Sequence, residues 1–231
     1  MPKVKVAAFS ISIDGFGAGP RQALQNPLGV RGLELHSWFF PTEAFKKMHG
    51  ATGGAFSGTT GIDNDFAAQS FENVGAWILG RNMFGPVRGP WAPDPASGEI
   101  WKGWWGPNPP YHTLVFVLTH HPRPPLEMEG GTTFHFVTDG LDSALCQAKA
   151  AAQSQGKDRN KDKDVRIGGG VSVIRQYLLA GHIDEMHLAM SPVLLGEGEN
   201  LFAGINLAQL GFSPSRIVAG ENATHILIKR T

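Results

Sequence analysis

The chain of 231 residues is 42% hydrophobic and 17% charged, a balance that supports a substantial buried core and excludes a disordered protein. Twenty Lys and Arg residues offset twenty Asp and Glu residues. No global field therefore draws the protein to nucleic acid or to an anionic membrane, and any anion site must be local.

The N-terminus enters a strand pattern at once, without the apolar stretch of a signal peptide, and no apolar run reaches membrane-spanning length. These features predict a cytoplasmic protein. Residues 3–13 place Val4, Val6 and Ala8 on one face and Ala7, Phe9 and Ile11 on the other, as expected of a central strand buried on both sides. Gly15, Gly17, Gly19 and Pro20 open a long loop that runs through Pro27 and Gly32, a length that more often serves function than connection. Residues 38–48 predict a short helix with Pro41 near its start. Residues 50–61, rich in Gly and Thr, predict another loop. From 65 to 74 the positions Phe66, Ala67, Ser70, Phe71 and Val74 suit one helix face, with Asn64 or Asp63 as N-cap. Residues 76–79 predict a short buried strand.

Beyond Gly80 to Gly85, the tryptophans Trp91, Trp101, Trp104 and Trp105 stand among many glycines and prolines. This is a loop too apolar to remain wet, so it is expected over a cleft or at a subunit interface. Residues 113–119 and 133–137 predict strands, and 141–153 a helix. Within that helix Cys146, the one cysteine, is expected as a small buried residue beside Leu141, Leu145 and Ala148. The polar run 155–164 alternates in charge and reads as a solvated loop. Val165, Arg166 and Ile167 end a buried strand, Gly168, Gly169 and Gly170 allow a sharp turn, and Val171, Ile174 and Leu178 give the next helix an apolar stripe. Residues 185–191 and 223–230 supply further strands. Neither an internal repeat nor a linker is visible, and one α/β domain is expected.

Three features follow predicted strands: Gly80 with Arg81, the strand end from Leu118 to His121, and the triple glycine. Ligands of open α/β sheets gather at the carboxyl ends of strands, so these features can converge on one extended ligand. Arg81 offers a planar fork for a phosphate, Thr119 and His120 offer side-chain donors, and the glycine turn offers backbone N–H groups at a helix start. The same glycines would also serve tight strand–helix packing. Scattered histidines without HExxH or paired-cysteine spacing give no metal site. Neither a GxxxxGK[ST] loop nor a GxGxxG or GxSxG pattern is present.

In order, the segments SISIDGF, ILGRNMFG, FVLTHH, FVTDGLDSAL, VRIGGGVSVIRQYL and HIDEMHLAMSPVLLGEGENLF resemble the dihydrofolate reductase-like family. Within it, they are similar to the reductase domain at the C-terminal end of bacterial riboflavin-pathway deaminase-reductases. The resemblance implies a twisted, mostly parallel sheet flanked by helices, a C-terminal antiparallel hairpin, and NADPH as cofactor. It places Gly80, Arg81 and Asn82 at the phosphates of the adenine half, and Thr119 and His120 beside the 2′-phosphate. Gly168, Gly169 and Gly170 with Val171 and Ser172 would cradle the pyrophosphate, and Ala7 or Ala8 would meet the nicotinamide carboxamide through the backbone. Residues 14–32 would form a lid. An acid near the helix before the Gly80 strand would orient a ring and support protonation; Asp65 stands there, with Asp63 as partner and Asp14 as a further candidate, although Asp63 and Asp65 would serve equally as caps. The expected activity is reduction of a small heterocycle such as a pyrimidine or pterin, in a homodimer. The alternative is a nucleotide-binding sensor without turnover.

Overall fold

Parallel pairing of strands buried on both faces organises the chain. The computed structural model describes residues 1–48, 58–85, 88–93, 98–155 and 162–231; most of the loop expected at 50–61, the middle of 155–164 and parts of the tryptophan-rich segment lie outside them. In chain order the elements are β1 (Val4–Ile11), β2 (Phe16–Ala18), α1 (Glu43–Met48), α2 (Ile62–Gln69), β3 (Val74–Gly80), α3 (Arg81–Phe84), β4 (Leu114–Leu118), β5 (Leu126–Glu127), β6 (Thr133–Val137) and α4 (Leu141–Ser154). There follow β7 (Asp164–Gly169), α5 (Val171–Leu179), β8 (Glu185–Met190), β9 (Glu199–Asn200), β10 (Phe212–Ala219) and β11 (Thr224–Arg230).

Nine strands form one sheet in the order β10-β11-β8-β1-β7-β3-β4-β6-β5. The run from β8 to β6 is parallel throughout. β11 joins β8 antiparallel and β10 pairs with β11, giving a C-terminal hairpin. β2 and β9 form a separate ribbon that ties the loop after β1 to the loop after β8.

Alternation divides the side chains between two layers. Val4, Val6, Ala76, Ile78, Phe116, Val165 and Ile167 pack under α4 and α5. α4 presents Ala144, Ala148, Ala151 and Ala152 to the sheet, small residues that let its backbone approach closely, and Gly75 sits where a Cβ would come within 2.8 Å of the Ala152 Cα. On the opposite layer Trp77, Val115 and Phe134 stand side by side in register and gather Tyr111, Phe84 and the partly buried Trp91, Trp101 and Trp105. The tryptophan-rich segment thus covers one face of the sheet.

The central strand β1 is not regular. Its pairing with β8 shifts register between Val6 and Phe9, and Ala8 lies at φ +50°. A non-glycine residue in the left-handed region costs on the order of 1 kcal/mol. A hydrogen bond from Ala8 N–H to His187 Nδ1 at 3.2 Å offsets part of that cost, and the bulge turns residues 8–10 toward the end of the sheet where the site lies.

Several sequence expectations are corrected. The helix expected over 38–48 is only Glu43–Met48, preceded by a 3-10 turn at Gly32–His36. α2 begins at Ile62, and neither Asp63 nor Asn64 caps it. The cap comes from across the chain: the Glu221 carboxylate accepts the N–H groups of Ile62 and Asp63 at 3.0 and 2.9 Å. Asn64 instead accepts the N–H of Ala44 at 2.9 Å, joining α2 to α1. Cys146 is exposed, because Ala144, Leu145 and Ala148 occupy the buried face of α4.

Candidate functional site

The parallel strands β1, β7, β3, β4 and β6 all end at one edge of the sheet, and the segments leaving them enclose a cavity of about 740 Å³. That volume lies in the range of small-molecule and cofactor sites. Ala8, Phe9 and Ser10 line it from β1, residues 80–83 from the β3–α3 junction, residues 118–121 from the end of β4, and residues 168–173 from the β7–α5 turn.

One end is cationic. Arg81 donates from Nη1 to Thr119 Oγ1 at 3.1 Å and from Nη2 to the Gly89 carbonyl at 3.3 Å, with its guanidinium 3.1 Å from the centre of the Trp91 ring. Arg123 approaches the same ring at 5.1 Å and donates to the Trp101 carbonyl at 2.6 Å. Burial, then the like charges of Arg123 and Arg88, push the Arg81 pKa down to about 10, which still leaves it cationic at neutral pH. Such a cluster favours an anionic ligand group.

The glycine turn combines packing with open backbone. A Cβ on Gly168 would strike Leu79 Cδ2 at 2.6 Å, and Gly169, at φ +131°, lies where a Cβ would meet Met83 Sδ and Phe9 Cε2 at 3.3 Å. A Cβ on Gly170 would meet nothing within 4 Å. Close packing therefore explains the first two glycines, while the third leaves free space at the start of α5, where a helix presents N–H groups to an anion. Asn82 bridges to the loop after β1 through Gln22 Oε1 at 3.3 Å, and its Oδ1 is buried with no partner among the described residues. Two of these features fit a phosphorylated dinucleotide, the cations at one end and the open helix-start backbone of the β7–α5 turn; the Asn82 oxygen is an acceptor and suits an N–H or O–H of a ligand rather than its phosphates.

The expected site residues divide. Ala8, Gly80, Arg81, Asn82, Thr119, His120, Gly168, Gly169, Gly170, Val171 and Ser172 all line the cavity. Ala7 does not; its carbonyl accepts Arg166 Nη2 at 2.8 Å. The structure does not bring Asp14, Asp63 or Asp65 to the cavity wall. Asp65 is exposed on α2. Asp63 is 2% exposed, its Oδ1 accepting His225 Nε2 at 2.8 Å and its Oδ2 accepting Asn222 N and Nδ2 at 2.8 and 3.1 Å. Asp14 accepts the N–H groups of Leu195 and Gly196, and hydrogen bonding, led by the Ser12 hydroxyl, holds its carboxyl below the usual carboxylate range.

Away from the cationic end the wall is aromatic: Phe39, Phe40, Phe45, Phe71, Trp77, Trp104, Trp105 and Tyr111, with His36 and Arg166 among them. Burial pushes the His36 pKa down to about 4 and that of Tyr111 up to about 12, so both are neutral at pH 7. Sequence reasoning expected Trp104 and Trp105 over a cleft but did not single out His36, Phe39, Phe40, Phe45, Trp77 or Tyr111. Arg166 was the visible signal, a charge inside an otherwise apolar strand.

Among the described residues, no helix is long and apolar enough to cross a membrane, and no group of three or more His, Cys, Asp or Glu is placed to hold a metal ion.

A parallel sheet with its cavity at the strand ends and an antiparallel C-terminal hairpin defines a dihydrofolate reductase-like fold. The chain belongs to the RibD C-terminal domain family, which it matches over residues 2–226. It superposes on a putative riboflavin biosynthesis protein from Shewanella sp. PV-4 with a TM-score of 0.51 and 20% identity, covering 100% of this chain and 99% of that one. A diaminohydroxyphosphoribosylaminopyrimidine deaminase/5-amino-6-(5-phosphoribosylamino)uracil reductase from Thermotoga maritima matches with a TM-score of 0.50 and 14% identity, covering 100% of this chain and 57% of that one. A curated relative, the uncharacterized protein YyaP of Bacillus subtilis (strain 168), is 40% identical over 47 residues, 20% of this chain and 25% of that protein. The chain thus matches about a quarter of that relative's length.

Proposed function

We propose that the protein is an NADPH-dependent reductase of a small heterocyclic substrate, in keeping with the reductase-like role that its family supports. The observation that carries this reading is the convergence of residues 80–82, 119–120 and 168–172 on one cavity. Arg81, Thr119 and His120 would hold the 2′-phosphate, the start of α5 the pyrophosphate, and the Ala8 bulge the nicotinamide, with Asn82 Oδ1 open to a ligand hydroxyl. When bound, NADPH supplies a hydride.

The chain's own residues then orient the substrate and exclude water. Phe39, Phe71, Trp77 and Tyr111 offer flat apolar surfaces that suit a planar ring. Proton delivery falls to groups that line the cavity rather than to the three aspartates; His36, Tyr111 and Glu199 are titratable groups in its wall. The tryptophan-covered face is proposed as a homodimer contact.

Titration of NADPH and NADH against tryptophan fluorescence tests the cofactor assignment, since Trp77, Trp104 and Trp105 line the cavity. At least tenfold tighter binding of NADPH is expected, and equal affinities would overturn the assignment. A screen of pterins and aminopyrimidines for substrate-dependent loss of NADPH absorbance then tests turnover.

A further inference from the structure

Arg166 is a buried cation whose hydrogen-bond partners are all uncharged. It leaves 8% of its surface exposed and lines the cavity from the middle of the sheet. Nη1 donates to the Ser70 carbonyl at 2.5 Å and to Ser70 Oγ at 3.2 Å, and Nη2 donates to the Ala7 carbonyl at 2.8 Å. Nε is buried with no hydrogen-bond partner among the described residues. Its guanidinium lies 4.2 Å from the centre of Trp77 and 4.9 Å from that of Phe71. No carboxylate within salt-bridge distance offsets the charge among the described residues.

A cation withdrawn from water without a counter-ion is costly, and the ring faces and neutral oxygens recover only part of that cost. Tyr111 lies in the same wall. Its hydroxyl oxygen accepts Trp105 Nε1 at 3.2 Å, which leaves the hydroxyl hydrogen to donate. One fixed positive charge and one O–H donor, between the ring surfaces of Trp77, Trp105 and Phe71, match a single negative charge carried on a flat ring. A phosphate dianion would be half neutralised there, whereas a carboxylate would be matched.

We propose that this end of the cavity binds an aromatic or heteroaromatic carboxylate, with Arg166 as its counter-charge and Tyr111 as a hydrogen-bond donor. The inference rests on the reductase reading, since it names the class of substrate that the cavity would take beside the cofactor. It also assigns Arg166 a second role besides tying β1 to the end of α2.

The test uses the intact protein and two probes of the same shape, 2-naphthoate and 2-naphthamide, titrated by tryptophan fluorescence in parallel with NADPH. Wild type should bind the carboxylate at least tenfold more tightly than the amide. Arg166→Met should abolish that preference, and Arg166→Lys should keep part of it. Should Arg166→Met fail to fold, the wild-type comparison of acid with amide still decides. Equal affinity of the two probes for wild type, or a carboxylate preference that survives in folded Arg166→Met, overturns the proposal. Equal affinity of wild type for the two probes with NADPH binding intact removes only this inference. A carboxylate preference without NADPH binding removes the cofactor reading instead.

Discussion

His187 and His225 are joined ring to ring, Nε2 to Nδ1, at 3.0 Å. The bonds on either side fix the direction of that contact. The backbone N–H of Ala8 must donate, so His187 Nδ1 is an acceptor and the proton of the neutral ring sits on Nε2. His225 Nδ1 therefore accepts, and His225 Nε2 donates to Asp63 Oδ1 at 2.8 Å. Phe66 stacks over both rings, at 4.2 Å from His225 and 4.6 Å from His187. This chain of bonds ties the β1 bulge, β8, β11 and α2 together, and gives Asp63 an anchoring task.

Stability should accordingly fall in mild acid. Burial, then the charges of His225 and Arg166, pushes the His187 pKa down to about 3, and burial pushes that of His36 to about 4. Above the unfolded value of about 6.5 the rings are neutral in both states. Between that value and the folded ones the unfolded chain binds protons that the folded protein refuses, so stability drops as pH falls, by at most about 1.4 kcal/mol per pH unit for each ring. Urea midpoints measured from pH 7.5 to 5 should show this slope, and His187→Gln should reduce it. An unchanged slope in that variant would assign the acid sensitivity to other groups.

Asp63→Asn should destabilise the protein by about 1–3 kcal/mol while leaving NADPH affinity unchanged. The carboxylate accepts three hydrogen bonds, and an amide in its place must turn an NH₂ group toward a donor. Denaturant unfolding with a parallel cofactor titration checks both halves. A stable variant with weakened cofactor binding would place Asp63 in the site after all.

Asp65→Asn should be neutral. The resemblance to the dihydrofolate reductase-like family assigned this carboxylate to orienting a substrate ring, but the side chain is exposed and does not line the cavity. The melting temperature should stay within about 2 °C of wild type, and cofactor affinity and turnover within about twofold, as for a surface substitution. A drop in turnover of about 10²-fold or more, the scale of a lost general acid, would restore its catalytic role.

Local pattern made much of the sheet legible. The helix from Leu141 was readable because one face of it is buried at a helical period, and the strand at Thr133–Val137 because it is a short apolar run that packs on both faces. β10 carries little such signal, since Ser213 to Ile217 are all exposed and no apolar face alternates. The start of α2 was misplaced because its cap is Glu221, a residue 159 positions from Ile62 that no helix-start pattern can show. The cationic side of the cavity was visible as glycines and an arginine directly after strands. The Asp63–His225–His187 network was not, because its members lie on three elements and only tertiary packing makes them neighbours.

The two glycines of the β7–α5 turn should respond differently to the same substitution. Gly169 sits at φ +131°, with Met83 and Phe9 3.3 Å from where a Cβ would lie, so Gly169→Val should lower the melting temperature and confound any loss of binding. Gly170 has an extended backbone at φ −72° and ψ −170°, open to a branched residue, and free space beyond its Cα. Gly170→Val should therefore fold with a melting temperature close to wild type, yet place two methyl groups where a phosphate would approach the first turn of α5. A loss of NADPH affinity of tenfold or more is expected, equivalent to about 1.4 kcal/mol. Fluorescence titration beside a thermal melt separates the two effects. A well-folded Gly170→Val protein with unaltered NADPH affinity would move the pyrophosphate away from this turn.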